Sequence, residues 1–111
     1  MTSANQAEVV TELTQLAQRY EQALGENDLD TLDALFWDSP DVVRFGATEN
    51  LYGIDAIREF RQQRPTKNLA RTVSNFKVVT FGAESGAVTL EFCRWVDGEP
   101  RYGRQSQMWY K

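Results

Sequence analysis

The sequence predicts an α+β fold in which N-terminal helices pack on a curved antiparallel sheet. Three observations point there. Apolar residues recur at spacings of three and four through the first part of the chain. Beyond Pro65 the pattern changes to alternating β-branched and aromatic residues. The strand segments in that second part are joined by short turns, which makes neighbours antiparallel.

The first helix covers about Asn5–Leu24, with Val9, Leu13, Ala17, Tyr20 and Leu24 on one stripe and Gly25 as its expected C-cap. A shorter helix runs from about Asp28 to Trp37, capped by Asn27 or Asp28 and stopped by Ser39-Pro40. Asp41–Thr48 reads as a short strand and Glu49–Gly53 as a turn. A third helix spans Ile54–Arg64, with Ile54, Ile57 and Phe60 on one side and Pro65 ending it. Three long strands follow at Arg71–Phe81, Ala87–Val96 and Arg101–Tyr110. Asp97-Gly98 between the last two is a strong hairpin signal. Helices on one side of such a sheet leave a cavity between the layers, a common place for ligands.

With 111 residues the chain is one domain, 1–111. Its net charge is -4 and no stretch gathers lysine and arginine, so neither nucleic acid nor an anionic membrane is an expected partner. Cys93 is the only cysteine and there is no histidine. One chain therefore builds no disulfide and no thiolate metal site, and histidine-activated nucleophiles are excluded. No cofactor is expected. Met1–Glu12 is polar and acidic, unlike a signal peptide, and no apolar run reaches the ~18 residues of a membrane helix. A reducing cytoplasm is the expected compartment.

Several stretches carry a family likeness: Arg19-Tyr20-Glu21, Leu32-Asp33-Ala34-Leu35-Phe36-Trp37, Val43-Arg44-Phe45-Gly46, Glu49-Asn50-Leu51-Tyr52-Gly53, Leu69-Ala70-Arg71-Thr72, and Gly103-Arg104-Gln105-Ser106-Gln107 followed by Trp109. In this order they resemble the AtzH-like family of the nuclear transport factor 2-like (SnoaL-like, cystatin-like) superfamily, over roughly Val10 to Trp109. The resemblance implies a cone of helices on a curved sheet and a homodimer. It also implies a place in the breakdown of small ureido and carboxylated nitrogen compounds, the namesake type being a decarboxylating amidohydrolase acting on a dicarboxylated urea. Family members continue past the tryptophan through a turn into a last strand, whereas this chain stops at Tyr110-Lys111. An exposed sheet edge is the expected consequence.

The candidate site residues each have a plain alternative. Tyr20 is either core or a phenol directed into the cone as donor to a substrate oxygen. Arg44 is either an outward arginine or a fork for a carboxylate; it shares a face with Val42, while Val43 and Phe45 share the other. These two are the catalytic candidates. For substrate binding, Arg71 is a second anion contact or a surface charge, and Trp37 caps the cavity mouth or fills core. Glu91 enters the cavity or faces solvent. The resemblance favours Gln105 and Gln107 inside, as amide partners for a ureido group. Arg58, Arg61 and Arg64, three apart on the third helix, read as a solvated basic stripe. Asp28, Asp30 and Asp33 read as charges favoured by a helix N-terminus.

Three functions are compatible with these residues. The first is an enzyme acting on a small anionic ureido or dicarboxylated compound, working by positioning and electrostatics. The second is a non-catalytic ligand-binding or dimerisation module. The third, ketosteroid isomerase-like proton transfer, needs a carboxylate base opposite the tyrosine, and Asp38 and Asp41 are its weak candidates.

Overall fold

In a computed structural model, which describes residues 3–111, the order is α1 (Ala7–Glu26), α2 (Leu29–Leu35), β1 (Val43–Phe45), β2 (Asn50–Tyr52), α3 (Ile54–Gln63), β3 (Thr72–Phe81), β4 (Ser85–Val96) and β5 (Glu99–Tyr110). The β1–β2 hairpin stands apart from a three-stranded antiparallel sheet of order β3-β4-β5. Among the described residues no helix is long and apolar enough to cross a membrane.

α1 buries Leu13, Ala17, Tyr20, Ala23 and Leu24, the stripe its period sets out. It does not stop at Gly25. It runs to Glu26 and closes at Asn27, which adopts the left-handed conformation at φ 55°. The Asn27 N–H donates to Leu24 O and the Asp28 N–H to Ala23 O, a Schellman closure in which asparagine replaces the expected glycine. Asp28 then caps α2. Its side chain accepts from the Thr31 N–H at 3.2 Å and from the Thr31 hydroxyl at 2.6 Å. Those two hydrogen bonds hold the exposed Asp28 carboxyl below its usual range. α2 ends at Leu35, so Phe36 turns inward and the next residue turns out.

The segment expected as a turn holds strand β2. Three residues are too few for a periodic signal, and the strand is visible only through its pairing of Val43 with Tyr52 and Phe45 with Asn50. Gly53, at φ 87°, starts α3 in a conformation that side chains resist, with Pro40 packed close by. α3 buries Ile54, Ile57 and Arg61. Its third core position is thus an arginine.

The long strands register as a meander. β4 pairs with β5 from Ser85↔Tyr110 to Val96↔Glu99, around a turn in which Asp97 and Gly98 both have positive φ. A bulge between Ser74 and Lys77 interrupts β3. The inner face carries Val73, Phe76, Val78, Val88, Leu90, Phe92 and Trp109 against α1. Trp109 also packs on the second cluster, of Tyr20, Ala23, Leu24 and Leu32, and so ties the two halves of the core together. The outer face leaves Trp95, Tyr102, Met108 and Tyr110 exposed. Among the described residues the far edge of β5 has no partner strand.

Candidate functional site

Alternation sets the site's first charge. Along β1, Val43 and Phe45 are exposed while Arg44 turns inward, the reverse of an apolar-in strand. Its guanidinium lies 5.4 Å from the centre of the Phe60 ring, and Nη1 donates to Glu49 Oε1 at 3.2 Å. Nε has no hydrogen-bond partner among the described residues. Burial works to raise the Glu49 carboxyl, but hydrogen bonds from Arg44 and Thr48 outweigh it and hold Glu49 below its usual range.

Three further arginines gather here, and the sequence reading missed all of them. Arg61 is 2% exposed, and Nε, Nη1 and Nη2 all lack hydrogen-bond partners among the described residues. It stacks 4.1 Å over the Phe36 ring, which in turn packs 5.9 Å from Tyr20. The nearest opposite charge is Asp33 Oδ1, at 3.7 Å from Nη1. Burial depresses the Arg61 pKa to about 10, and the charges of Arg44 and Arg64 add to the depression while Tyr20 and Asp33 oppose it. Arg64, which closes α3, and Arg94, which follows Leu90 and Phe92 on the inner face of β4, are lowered chiefly by burial and next by arginine neighbours. Neither has a carboxylate within salt-bridge distance among the described residues, and each has an unpartnered Nε. The expectation of a solvated basic stripe on α3 is therefore corrected. Arg58 stays near the surface among Asp33, Asp38 and Asp55, while Arg61 turns inward. The legible signal was its position, four after Ile57 and seven after Ile54, on the helix's buried stripe.

Arg71 is neither a free anion contact nor a surface charge. Its side chain is 4% exposed, Nε and Nη2 grip Glu21 at 3.0 and 2.5 Å, and Nη2 also donates to Gln105 Oε1 at 2.8 Å. The guanidinium lies 4.5 Å over the Phe92 ring. That ring covers Gly103, where a Cβ would come within 2.8 Å of Cε1, which explains the glycine of the Gly103-Arg104-Gln105 motif.

Gln105 and Gln107 both lie on the inner face with Trp109, and a chain of bonds sets which way their amides point. The Trp109 indole N–H donates to Gln107 Oε1 at 2.8 Å, and Gln107 Nε2 donates to Gln105 Oε1 at 2.8 Å. An indole and a guanidinium only donate, so both ends of the ladder demand glutamine oxygens. Gln105 thus spends its oxygen on two donors and keeps its own N–H groups for something else. It offers donors, not acceptors.

Tyr20 is buried in the second core cluster beside Phe36. The other two substrate-binding candidates both lie at the surface. Trp37 is 64% exposed, because α2 ends two residues early and Phe36 takes the inward place. Glu91 is on the solvent face of β4, held by Asn75 across the strand, because Leu90 and Phe92 take the inner face. Two surface concavities lie off the arginine cluster. One of about 40 Å³ beside Leu13, Leu16 and Trp109 suits little more than water. The other is an open groove of about 670 Å³ along Gln18, Glu21, Ala70 and Arg71.

The likeness to known proteins agrees with this architecture. The AtzH-like family model matches residues 2–111. A protein of unknown function from Pectobacterium atrosepticum is 44% identical, with TM-score 0.92 over 97% of this chain and 83% of its own. A cystatin-like fold protein from Burkholderia xenovorans is 36% identical, with TM-score 0.90 over 98% of this chain and 83% of its own. A nuclear transport factor 2-like superfamily protein from Salmonella enterica shares the fold at 22% identity and TM-score 0.73, over 95% and 81%. No curated protein matches the chain. The α+β cone, its helices laid on one face of a curved antiparallel sheet, and the family match over nearly every residue together place this chain in the AtzH-like family.

Proposed function

We propose that the chain binds a small carboxylated ureido compound among its inward arginines and acts on it as a decarboxylating amidohydrolase. One observation carries the reading: Arg44, Arg61, Arg64 and Arg94 are drawn together with too few carboxylates to balance them. Like charges gathered away from water are costly, so such a cluster implies a bound anion. Arg44 holds a carboxylate through its planar fork, the ligand competing with Glu49. Tyr20 supplies a phenolic donor to the oxyanion that forms as water adds to the amide carbon; that oxyanion then collapses, breaking the C–N bond as the water's proton passes to the leaving nitrogen. The free N–H groups of Gln105 suit a ureido carbonyl or a carboxylate oxygen, and Gln107 holds Gln105 in that orientation.

The test is a panel of small carboxylates and ureido acids, scored by thermal shift and by product release. The expected result is stabilisation of the parent that Arg44→Ala abolishes, and turnover that Tyr20→Phe abolishes while binding survives. Unchanged turnover in both variants would refute the enzyme reading.

A second reading, a binding and dimerising module, is favoured by the exposed Trp95, Tyr102, Met108 and Tyr110 on the outer face of the sheet. Apolar surface of that kind is the usual material of an interface between copies. It predicts a dimer by light scattering and ligand stabilisation without turnover; a strictly monomeric species would count against it. Isomerase-like proton transfer has the least support. Asp38 is well exposed and near Arg58, Asp41 is exposed, and Glu49 and the partly exposed Asp33 already face arginines.

A further inference from the structure

We infer that Arg61 is a direct ligand of the anion, with Asp33 as the counter-ion that the anion displaces. This deepens the anion-site reading and rests on it. An ionised guanidinium with no hydrogen bond, taken out of water, is among the most expensive arrangements in a protein interior. Its stacking on Phe36 at 4.1 Å recovers only a small part of that cost. Asp33 at 3.7 Å is beyond hydrogen-bond reach and is shared with Arg58 Nε at 3.6 Å. A purely structural arginine would have its fork satisfied, as Arg71 does against Glu21 and Gln105. Arg61 instead keeps all three of its donor nitrogens idle, stacked on Phe36, which packs against Tyr20. A planar carboxylate accepting from that fork would meet the missing bonds, and Asp33, which is partly exposed, would remain on Arg58.

The experiment uses the whole chain with sodium malonate as probe and acetate and chloride as comparison arms. Arg61→Met removes the charge and keeps the volume. It should melt several degrees higher than the parent without ligand, since an uncompensated charge is gone, yet lose the malonate-induced shift. Asp33→Asn removes the competing carboxylate and should tighten malonate binding severalfold. A structural arginine predicts the opposite pattern: a lower melting point for Arg61→Met, and no gain from Asp33→Asn. Should Arg61→Met fail to fold, the parent decides alone, by NMR of ¹⁵N-arginine-labelled protein with the Arg61 Nε–H resonance assigned through Arg61→Lys. That resonance should move as malonate saturates the protein. If malonate stabilises the parent, Arg44→Ala abolishes the effect, and the Arg61 resonance stays still, the anion site stands and this assignment falls. If no anion stabilises the parent, both fall.

Discussion

Replacing Arg71 with methionine tests how a buried charge is held in this fold. The Arg71 side chain is 4% exposed and makes two bonds to Glu21 and one to Gln105. Removing one partner of a buried pair costs about 3–5 kcal/mol, because the other charge is left behind. The Glu21 side chain is 18% exposed and recovers some hydration, so the lower end, about 3 kcal/mol, is expected for Arg71→Met. For a chain this short, about 3 kcal/mol lowers the melting point by roughly 13 °C. Glu21→Gln keeps an acceptor for Nη2 and should cost less, about 2 kcal/mol. The double variant leaves no stranded charge and should cost at least about 1.5 kcal/mol less than the two single losses together. The assay is urea unfolding at one fixed protein concentration, with equal m-values required before free energies are compared. A loss below about 1 kcal/mol in Arg71→Met, or additivity of the two changes to within about 0.5 kcal/mol, would refute the argument. Arg71→Met should also retain ligand-induced stabilisation relative to its own baseline, since Nε and Nη2 are already committed to Glu21 and Gln105.

Other consequences of the geometry are as direct. Gly103→Ala drives a methyl into the Phe92 ring and should cost about 1–3 kcal/mol by overpacking, read by the same unfolding assay. Gln105→Glu puts a charged acceptor where the ladder and the ligand both meet donors; it should leave Arg71 bound but repel anions, seen as a lost malonate shift with little change in the unliganded melting point. Arg61 gives a pH signature. Its folded pKa, about 10, lies well below the ordinary arginine range, so the unfolded chain holds the proton more tightly and the penalty is complete below pH 10. The penalty is relieved as pH rises through and above about 10. The stability advantage of Arg61→Met, about 3 kcal/mol at pH 8 as an upper figure, should shrink by about 1 kcal/mol by pH 11 in paired denaturation curves. An advantage that grows with pH would invert the assignment.

Helix α1, the three long strands and the Asp97-Gly98 turn were legible because each rests on local chemistry: a period of 3.6, a period of 2, or two adjacent residues that accept positive φ. The family motifs were legible too, and with them Tyr20, Arg44, Gln105 and Gln107 as inward candidates. Errors of two residues came at boundaries. Asparagine took the left-handed place that glycine was expected to fill, and α2 stopped early enough to trade Trp37 for Phe36. What no local pattern could carry was pairing. Whether an arginine is a solvated charge, a structural clamp or an idle donor depends on what lies across from it, often dozens of residues away. Arg71 finds Glu21 across 50 positions and is satisfied. Arg61 occupies a helix position that the period marks as buried, yet only the packing of Phe36, Asp33 and Tyr20 around it reveals that its charge has no sufficient partner. Sequence by itself determined the layers and the apolar stripe of α1, because burial follows periodicity. The tertiary structure alone decided which buried charges are cancelled and which wait for an anion, because electrostatic balance is a property of distances between elements that the chain order leaves open.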